Sequence, residues 1–151
     1  MLFRSSAGYI QEYDIDTHII IEANNDVFEH LKDFSKKAQK PVVPLFGFWQ
    51  TAVNDIEPNS ISGILFDTYP LTEDEVHRNH FDFFKTAYNL LKPGGILTYY
   101  SDEIDDFSED HRHALKEAGF QNIDKEVCSV TPPEDCEYWK SPTIVAPIIY
   151  K

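Results

Sequence analysis

Short apolar runs bounded by turn-forming or polar residues recur along the chain. Several are rich in β-branched residues, which favour strands. The central run, Ile61–Phe66, ends in Asp67 and is expected to be a strand buried on both faces of a sheet. Thr17–Glu22, a β-branched run that ends in an acid, is also expected to be a buried strand. The pattern predicts strands at Thr17–Glu22, Val42–Leu45, Ile61–Phe66, Ile96–Tyr100, Ile123–Val130 and Pro142–Tyr150.

Between these runs, apolar residues recur three and four positions apart, which is the spacing of one helix face. Asn24 or Asn25 can cap one helix, and Thr72 with Glu75 can form a capping box for another. Gly119 is placed to end a third. Helices are predicted from Asn24 or Asn25 to Ala38, at Gln50–Asn54, Thr72–Leu91 and Ser108–Ala118, and less clearly at Ser5–Tyr13.

The alternation of strands and helices predicts an α/β fold with a mostly parallel sheet covered by helices, in three Rossmann-like layers. The last two strands have no helix between them, so they are expected to form an antiparallel hairpin through the Pro132–Ser141 connection. This layout is similar to that of class I S-adenosylmethionine methyltransferases. Residues 1–151 are therefore predicted to be one, partial, methyltransferase domain.

The composition narrows the classes of partner. Apolar residues make up 42% of the chain, which indicates a packed globular protein, and the net charge is −13. A basic surface is needed for nucleic acid or anionic membranes, so neither is expected as a partner. A neutral or cationic small molecule suits the charge, although most of the acids are expected simply to solvate the surface.

Cysteine, histidine and apolar patterns add further expectations. Cys128 and Cys136 do not make a disulfide scaffold, and no leader or membrane-spanning run is recognised, so a cytoplasmic location is expected. The pairs His77 with His80 and His111 with His113 match no metal motif, so surface histidines are expected. The sequence predicts no metal site and leaves the oligomeric state open.

Two predicted strand ends carry residues suited to a nucleoside. Glu22 ends a strand before a helix cap, the position at which acids in nucleotide-binding folds accept hydrogen bonds from ribose hydroxyls. It could equally serve only as a cap. The turn of Gly47, Phe48, Trp49 and Gln50 follows the next strand, where an aromatic ring could pack on a purine. The alternative is a satellite hydrophobic cluster.

Asp67 has a more specific chemical rationale. Methyl transfer from a sulfonium to nitrogen requires a lone pair on nitrogen, aimed in line at the methyl group. A carboxylate can orient an amine or guanidinium and offset or remove its proton, with Tyr69 nearby to assist. Ser101, Asp102 and Glu103 follow the next strand on the same edge, where they either line the acceptor pocket or form a solvated loop.

Several segments together resemble the guanidinoacetate N-methyltransferase family. The resemblance runs from about Thr17 to the C-terminus, and its most specific part is the Phe-Asp-Thr-Tyr-Pro-Leu segment that begins at Phe66. The matching segments are His18–Glu22, Val42–Leu45 with Gly47 and Trp49, Gly63–Leu71, Leu90–Tyr99, Pro132-Pro133, Asp135-Cys136 and Tyr138.

The resemblance implies S-adenosyl-L-methionine as the methyl donor and a small guanidino or amino compound as the acceptor. It places Glu22, with Ala23 and Asn24, at the ribose, and Gly47, Phe48, Trp49 and Gln50 at the adenine. Asp67 is predicted to contact both the cofactor and the acceptor. Asp67 and Tyr69 are the predicted catalytic residues, and Thr68, Tyr69, Ser101 and Asp102 are predicted to contact the acceptor.

The sequence departs from this family in two places. The family's first strand and its Glu/Asp-x-Gly-x-Gly loop, which holds the methionine part of the cofactor, have no match, and the only early glycine is Gly8. The unmatched strand is normally central, between those predicted at Ile19 and Ile64. The loop at Ser101–Glu103 is acidic, where the family contacts the acceptor's carboxylate, so a related amine or guanidine is expected instead of guanidinoacetate.

The main hypothesis is therefore an S-adenosylmethionine-dependent N-methyltransferase of the guanidinoacetate type. One alternative is a truncated, catalytically silent module that binds a ligand or partner. A further alternative, within the enzyme class, is a protein-arginine N-methyltransferase of the fungal type.

Overall fold

The computed structural model describes residues 6–68, 80–137 and 139–151. The chain divides into two compact units, residues 1–56 and 57–151. In each unit strands alternate with helices, and the strands form one sheet per unit. The assignment of the whole chain to one partial domain stays a prediction.

The first unit contains a two-stranded parallel sheet. Strand β1 pairs with β2 in register from His18 opposite Val42 to Glu22 opposite Phe46. Asn24 caps helix α2, because its side-chain oxygen accepts hydrogen bonds from the backbone N–H groups of Asp26 and Val27, as predicted. The elements are α1 (Ser6–Ile10), β1 (His18–Glu22), α2 (Asn25–Lys37), β2 (Val42–Phe46), α3 (Trp49–Ala52) and a 3-10 turn (Val53–Asp55).

A buried glutamine fixes the start of this sheet. Gln11 accepts a hydrogen bond from the backbone N–H of Lys40 at 2.7 Å, and its amide nitrogen lies 3.2 Å from His18 Nδ1. The backbone N–H of His18 donates to the carbonyl of Pro41 at 2.8 Å. The segment after α1 is therefore tied to the beginning of β1 and to the residues that precede β2.

The second unit contains a mixed four-stranded sheet in the order β3-β4-β6-β5. Strands β3 and β4 are parallel, whereas β6 runs antiparallel to both β4 and β5. The predicted C-terminal hairpin is confirmed, with Asn122 opposite Tyr150 and Ser129 opposite Thr143. The elements are β3 (Ile61–Phe66), α4 (Phe81–Leu90), β4 (Leu91–Tyr99), α5 (Glu109–Ala118), β5 (Asn122–Ser129) and β6 (Thr143–Tyr150).

The connection from α4 to β4 differs from the prediction. We expected Lys92–Gly95 to separate the helix from a strand that begins at Ile96, but β4 begins at Leu91, directly after the helix. Leu91 lies opposite Ile61, and Ile96 lies opposite Gly63, so the pairing is irregular between them. The predicted capping box at Thr72 and Glu75 lies outside the described residues.

Burial also corrects two strand predictions. Leu65 is 41% exposed and Ser62 and Gly63 are exposed, so β3 is not buried on both faces. The reason is its place at one end of the four-stranded sheet, where β4 is its neighbour. Strand β1 is half-buried along its length and not fully buried. The core of the second unit is built from Phe84, Leu91, Leu97, Leu115, Phe120 and Ile149.

The division into two sheets falls between β1 and β3. These strands belong to different sheets, and in the described ranges each pairs with one other strand. The family resemblance places its unmatched central strand between them.

We expect Gly95→Ala to destabilise the chain by about 1–3 kcal/mol, because overpacking against backbone is not easily relieved. An added Cβ would lie 2.9 Å from both Leu91 Cδ2 and Lys92 O, and 3.1 Å from Ile61 O. Gly63→Ala is the matched control, since its Cβ would meet Ile96 O at an ordinary 3.9 Å. Urea unfolding followed by circular dichroism measures the free energy of unfolding of both variants. Equal losses of stability would contradict the close packing around Gly95.

Candidate functional site

The parallel pairing in the first unit brings the two predicted nucleoside segments together. Glu22 and Phe46 end their strands opposite each other, and the backbone N–H of Gly47 donates to the Glu22 carbonyl at 3.0 Å. The backbone N–H of Asn24 donates to Glu22 Oε1 at 2.7 Å. Glu22–Asn24 and the Gly47 turn are therefore neighbours, and one oxygen of the Glu22 carboxylate is held by the chain that follows it.

The Gly47 turn presents an exposed aromatic ring. Gly47 has a φ of 137°, in the region that favours glycine, and Phe48 adopts an extended conformation before α3. The Phe48 side chain is 56% exposed, whereas Trp49 is half-buried and Gln50 is exposed. Just before the turn, at the end of β2, the rings of Phe46 and Phe28 lie 5.0 Å apart, and Phe46 is itself 56% exposed.

The parallel pairing in the second unit aligns the predicted acceptor residues in the same way. Phe66 at the end of β3 lies opposite Tyr99 at the end of β4. Asp67 and Thr68 therefore leave the same edge of the sheet as the Ser101–Asp102 segment. Asp67 and Thr68 are exposed. Tyr69, the second predicted catalytic residue, and Tyr138 lie outside the described residues.

The Ser101–Glu103 loop is held by hydrogen bonds. The buried Ser101 hydroxyl donates to the Val145 carbonyl at 2.6 Å and accepts from the backbone N–H of Glu103 at 3.2 Å. The backbone N–H of Val145 donates to the Glu103 carbonyl at 2.8 Å. Asp102, between them, has a φ of 57°, which is uncommon for a residue other than glycine. These hydrogen bonds give the loop a defined conformation.

This loop forms one wall of a cavity of about 210 Å³. Its lining combines carboxylates, a phenyl ring and an imidazole, so its chemistry suits a cation. The lining residues are Phe81, Ser101, Asp102, Glu103, Ser108, Asp110 and His111. A larger depression of about 410 Å³ lies along α2, but one helix alone lines it and it holds no predicted site residue, so it is a surface groove.

Two of the residues that line the cavity, His111 and Glu103, form a hydrogen-bonded series with the buried Tyr99. The Tyr99 hydroxyl lies 2.6 Å from His111 Nε2, and His111 Nδ1 lies 3.1 Å from Glu103 Oε1. The same Glu103 oxygen accepts the backbone N–H of Ser108 at 2.9 Å, at the start of α5. The His80 ring stacks on Tyr99, with 5.0 Å between centroids.

The surroundings determine the protonation states of Tyr99, His111 and Glu103. Burial, together with the charge of Glu103, raises the pKa of Tyr99 well above its ordinary value, so the phenol keeps its proton. Burial lowers the pKa of His111 more than its hydrogen bond to Glu103 raises it. Burial opposes ionisation of Glu103, but hydrogen bonds from Ser108 and His111 prevail, so its pKa is lowered. Near neutral pH, Tyr99 is therefore a protonated phenol, His111 a neutral imidazole and Glu103 a carboxylate.

The prediction of surface histidines was wrong at two positions. His111 is 1% exposed and His80 is 2% exposed, whereas His113 is exposed as expected. The available signal was helical periodicity, because His111 lies on the same buried face of α5 as Leu115 and Ala118. His77 lies outside the described residues.

The described residues contain no group of three or more side chains suited to a metal ion. Cys128 and Cys136 are both free thiols. Within the ranges that the structure covers, no helix is long and apolar enough to cross a membrane.

Comparison with solved structures shows an α/β methyltransferase fold. An S-adenosylmethionine-dependent methyltransferase from Mesorhizobium loti superposes with a TM-score of 0.64 at 10% identity, covering 96% of this chain and 85% of that one. The M. jannaschii TYW2 structure in complex with AdoMet gives a TM-score of 0.58 at 17% identity, covering 89% and 57% of the two chains.

The sequence comparison defines the family. The family model described as guanidinoacetate N-methyltransferase matches residues 3–151, so the chain belongs to the guanidinoacetate N-methyltransferase family. Curated relatives include the protein arginine N-methyltransferase 2 of Kluyveromyces lactis, 28% identical over 97 residues, and that of Candida glabrata, 29% identical over 96 residues. Each match covers 62% of this chain, and the chain spans only about a quarter of these relatives, 23% and 22%.

We expect the stability of the chain to fall as the pH decreases below 6.5, the ordinary histidine pKa, towards the lower pKa of folded His111. In that interval the unfolded chain binds a proton that the folded chain excludes, which costs up to about 1.4 kcal/mol per pH unit. His111→Gln should remove this part of the dependence.

The exposed His113→Gln is the control on the same helix and should leave the dependence intact. Urea unfolding between pH 5 and 8 measures the difference between the two variants. Identical pH profiles for both variants would contradict the buried, neutral state of His111.

Proposed function

We propose that this chain is part of an S-adenosylmethionine-dependent N-methyltransferase whose acceptor is a small guanidino or amino compound. The observation that carries this proposal is the family match over residues 3–151. The exposed carboxylate of Asp67, at the end of β3, supports the choice of a nitrogen acceptor.

The residues of the first unit fit the adenosine part of the cofactor. The Glu22 carboxylate has one oxygen oriented by the N–H of Asn24, which leaves the other to accept from a ribose hydroxyl. The exposed Phe48 ring offers a face for adenine. When bound, the cofactor supplies an electrophilic methyl group on a sulfonium. We assign no residue to its methionine part.

In the second unit, Asp67 is assigned to the acceptor nitrogen. Its carboxylate accepts hydrogen bonds from a guanidinium or amine, directs the nitrogen lone pair, and takes or offsets the proton that the nitrogen loses as the N–C bond forms. Tyr69 keeps its predicted assisting role, and Thr68 is assigned to the acceptor beside it. Both assignments are proposals.

The acidic loop after β4 is assigned to the remainder of the acceptor. Asp102 and Glu103 line the cavity with Ser101, whose hydroxyl holds the loop itself. Carboxylates at this position disfavour an acceptor that carries its own carboxylate and favour a cation. We therefore propose an acceptor such as methylguanidine in preference to guanidinoacetate.

Arginine in a protein is the second candidate acceptor. The curated relatives that support it are named protein arginine N-methyltransferase 2. An arginine side chain presents the same guanidinium group, and the acidic loop suits a cationic peptide equally well. Methylation of an arginine-rich peptide at a kcat/KM above that for methylguanidine would favour this candidate.

We expect the chain to bind S-adenosylhomocysteine with micromolar affinity in isothermal titration calorimetry. Glu22→Gln should weaken binding by at least about tenfold, because hydrogen bonds to charged groups contribute about 1.5–3 kcal/mol. Glu29→Gln removes an equal charge from the exposed face of α2 and should leave binding unchanged. Absence of any binding by the wild-type chain would favour the silent module, and equal affinities of the two variants would remove Glu22 from the ribose site.

We expect Asp67→Asn to lower kcat/KM for methyl transfer to methylguanidine by on the order of 10²-fold. The amide cannot accept the proton and does not complement the positive charge of the acceptor, and positioned acid–base groups contribute about 10²–10⁴-fold. The measurement is transfer of labelled methyl from S-adenosylmethionine. Asp124→Asn, at an exposed position on β5, is the charge-matched control. Unchanged turnover by Asp67→Asn would refute the role of this carboxylate.

A further inference from the structure

Buried contacts connect the acidic loop to the sheet through one imidazole. His111 projects from α5 and bridges the Tyr99 hydroxyl at the end of β4 and the Glu103 carboxylate in the loop, at 2.6 and 3.1 Å. Glu103 in turn holds the N–H of Ser108, and its carbonyl holds the N–H of Val145 on β6. His111 is thus the link between three elements that surround the cavity.

We propose that His111 is a positioning residue that holds the Ser101–Glu103 loop in place through its neutral, Nδ1-protonated form. This inference rests on the proposed function, which assigns the loop to the acceptor. The imidazole acts through Glu103 and needs no contact with the acceptor.

The partners of the ring specify its tautomer. The phenol of Tyr99 keeps its proton and can donate it to His111 Nε2 whenever that nitrogen carries no proton of its own. The ionised Glu103 can only accept, so it requires a proton on Nδ1. In the neutral ring, both bonds form together only when Nδ1 carries the proton and Nε2 does not.

A second proton on the ring breaks this arrangement. Nε2 then becomes a donor, and the Tyr99 hydroxyl must turn its own proton away within a buried site. The bond to Glu103 persists, but the bond to Tyr99 is reversed: Nε2 donates to the phenol oxygen, and the phenol proton loses its acceptor. The loop is therefore held most firmly in its present form above the His111 pKa and less firmly below it.

Other ionisable groups surround the ring, and the experiment must separate their effects. The His80 ring is a neighbour of the His111 ring, with 5.0 Å between the ring centroids. On α5, Arg112 opposes protonation of His111, and Asp110 shares the cavity lining. Glu103 favours protonation, and Tyr99 stays neutral throughout the range.

The first experiment observes the tautomer directly. Long-range ¹H–¹⁵N correlation spectra of the full chain at pH 7.5 report which ring nitrogen of His111 carries the proton, with His111→Gln used for assignment. We expect the Nδ1-protonated form. An Nε2-protonated ring or an imidazolium at this pH would overturn the proposal.

The second experiment follows the loop. We expect the amide protons of Glu103 and Val145 to lose about tenfold of their exchange protection between pH 7.5 and pH 5 in the wild-type chain. His111→Gln should keep the protection at both pH values, because its amide can accept from Tyr99 and donate to Glu103 without titrating. His111→Ala should lose it at both, and exposed His113→Gln should behave as the wild type.

The third experiment separates binding from turnover. The KM for methylguanidine should rise by up to about tenfold per pH unit below the His111 pKa, with a smaller change in kcat. In His111→Gln it should stay within about threefold of its value at pH 8. A KM profile unchanged by His111→Gln would overturn the proposal.

If no methyl transfer is found, the proposed function fails. The tautomer and the exchange protection still decide whether His111 holds the loop, because neither measurement requires activity.

Discussion

Parallel pairing between neighbouring strands is the constraint on which the candidate site depends. It makes both strands of a pair end at the same edge, so residues far apart in sequence become neighbours. Glu22 and Gly47 meet in this way in the first unit, and the residues after Phe66 and Tyr99 leave one edge in the second. The chemistry is therefore arranged by backbone hydrogen bonds before any side chain contributes.

Side-chain hydrogen bonds then give the loop after β4 its shape. The side chains of Ser101 and Glu103 form hydrogen bonds with the backbone of the loop, of β6 and of the residue that precedes α5. This use of polar groups has a cost in desolvation, which the multiple partners offset. A loop that is satisfied internally has few alternative conformations, which is a requirement for presenting a charged group to a ligand.

The alternation of strands and helices, the cap at Asn24, the stop at Gly119 and the final hairpin were predictable because they depend on local residue chemistry. The half-burial of β1 and β3 was not, because exposure depends on which strands neighbour them. The grouping of the residues that follow paired strands was predictable, since parallel strands end at the same edge of their sheet. The hydrogen-bonded series through His111 was not, because hydrogen bonds between side chains of separate elements leave no mark in a single sequence.

The backbone conformation at Asp102 limits what this position of the cavity can become. A φ of 57° is accessible to glycine, asparagine and aspartate but strained for β-branched or bulky residues. Substitution here can thus alter the local charge while the path of the main chain is preserved. Divergent relatives with this geometry would change their preference for charged ligands at this point by exchanging Asp for Asn or Gly.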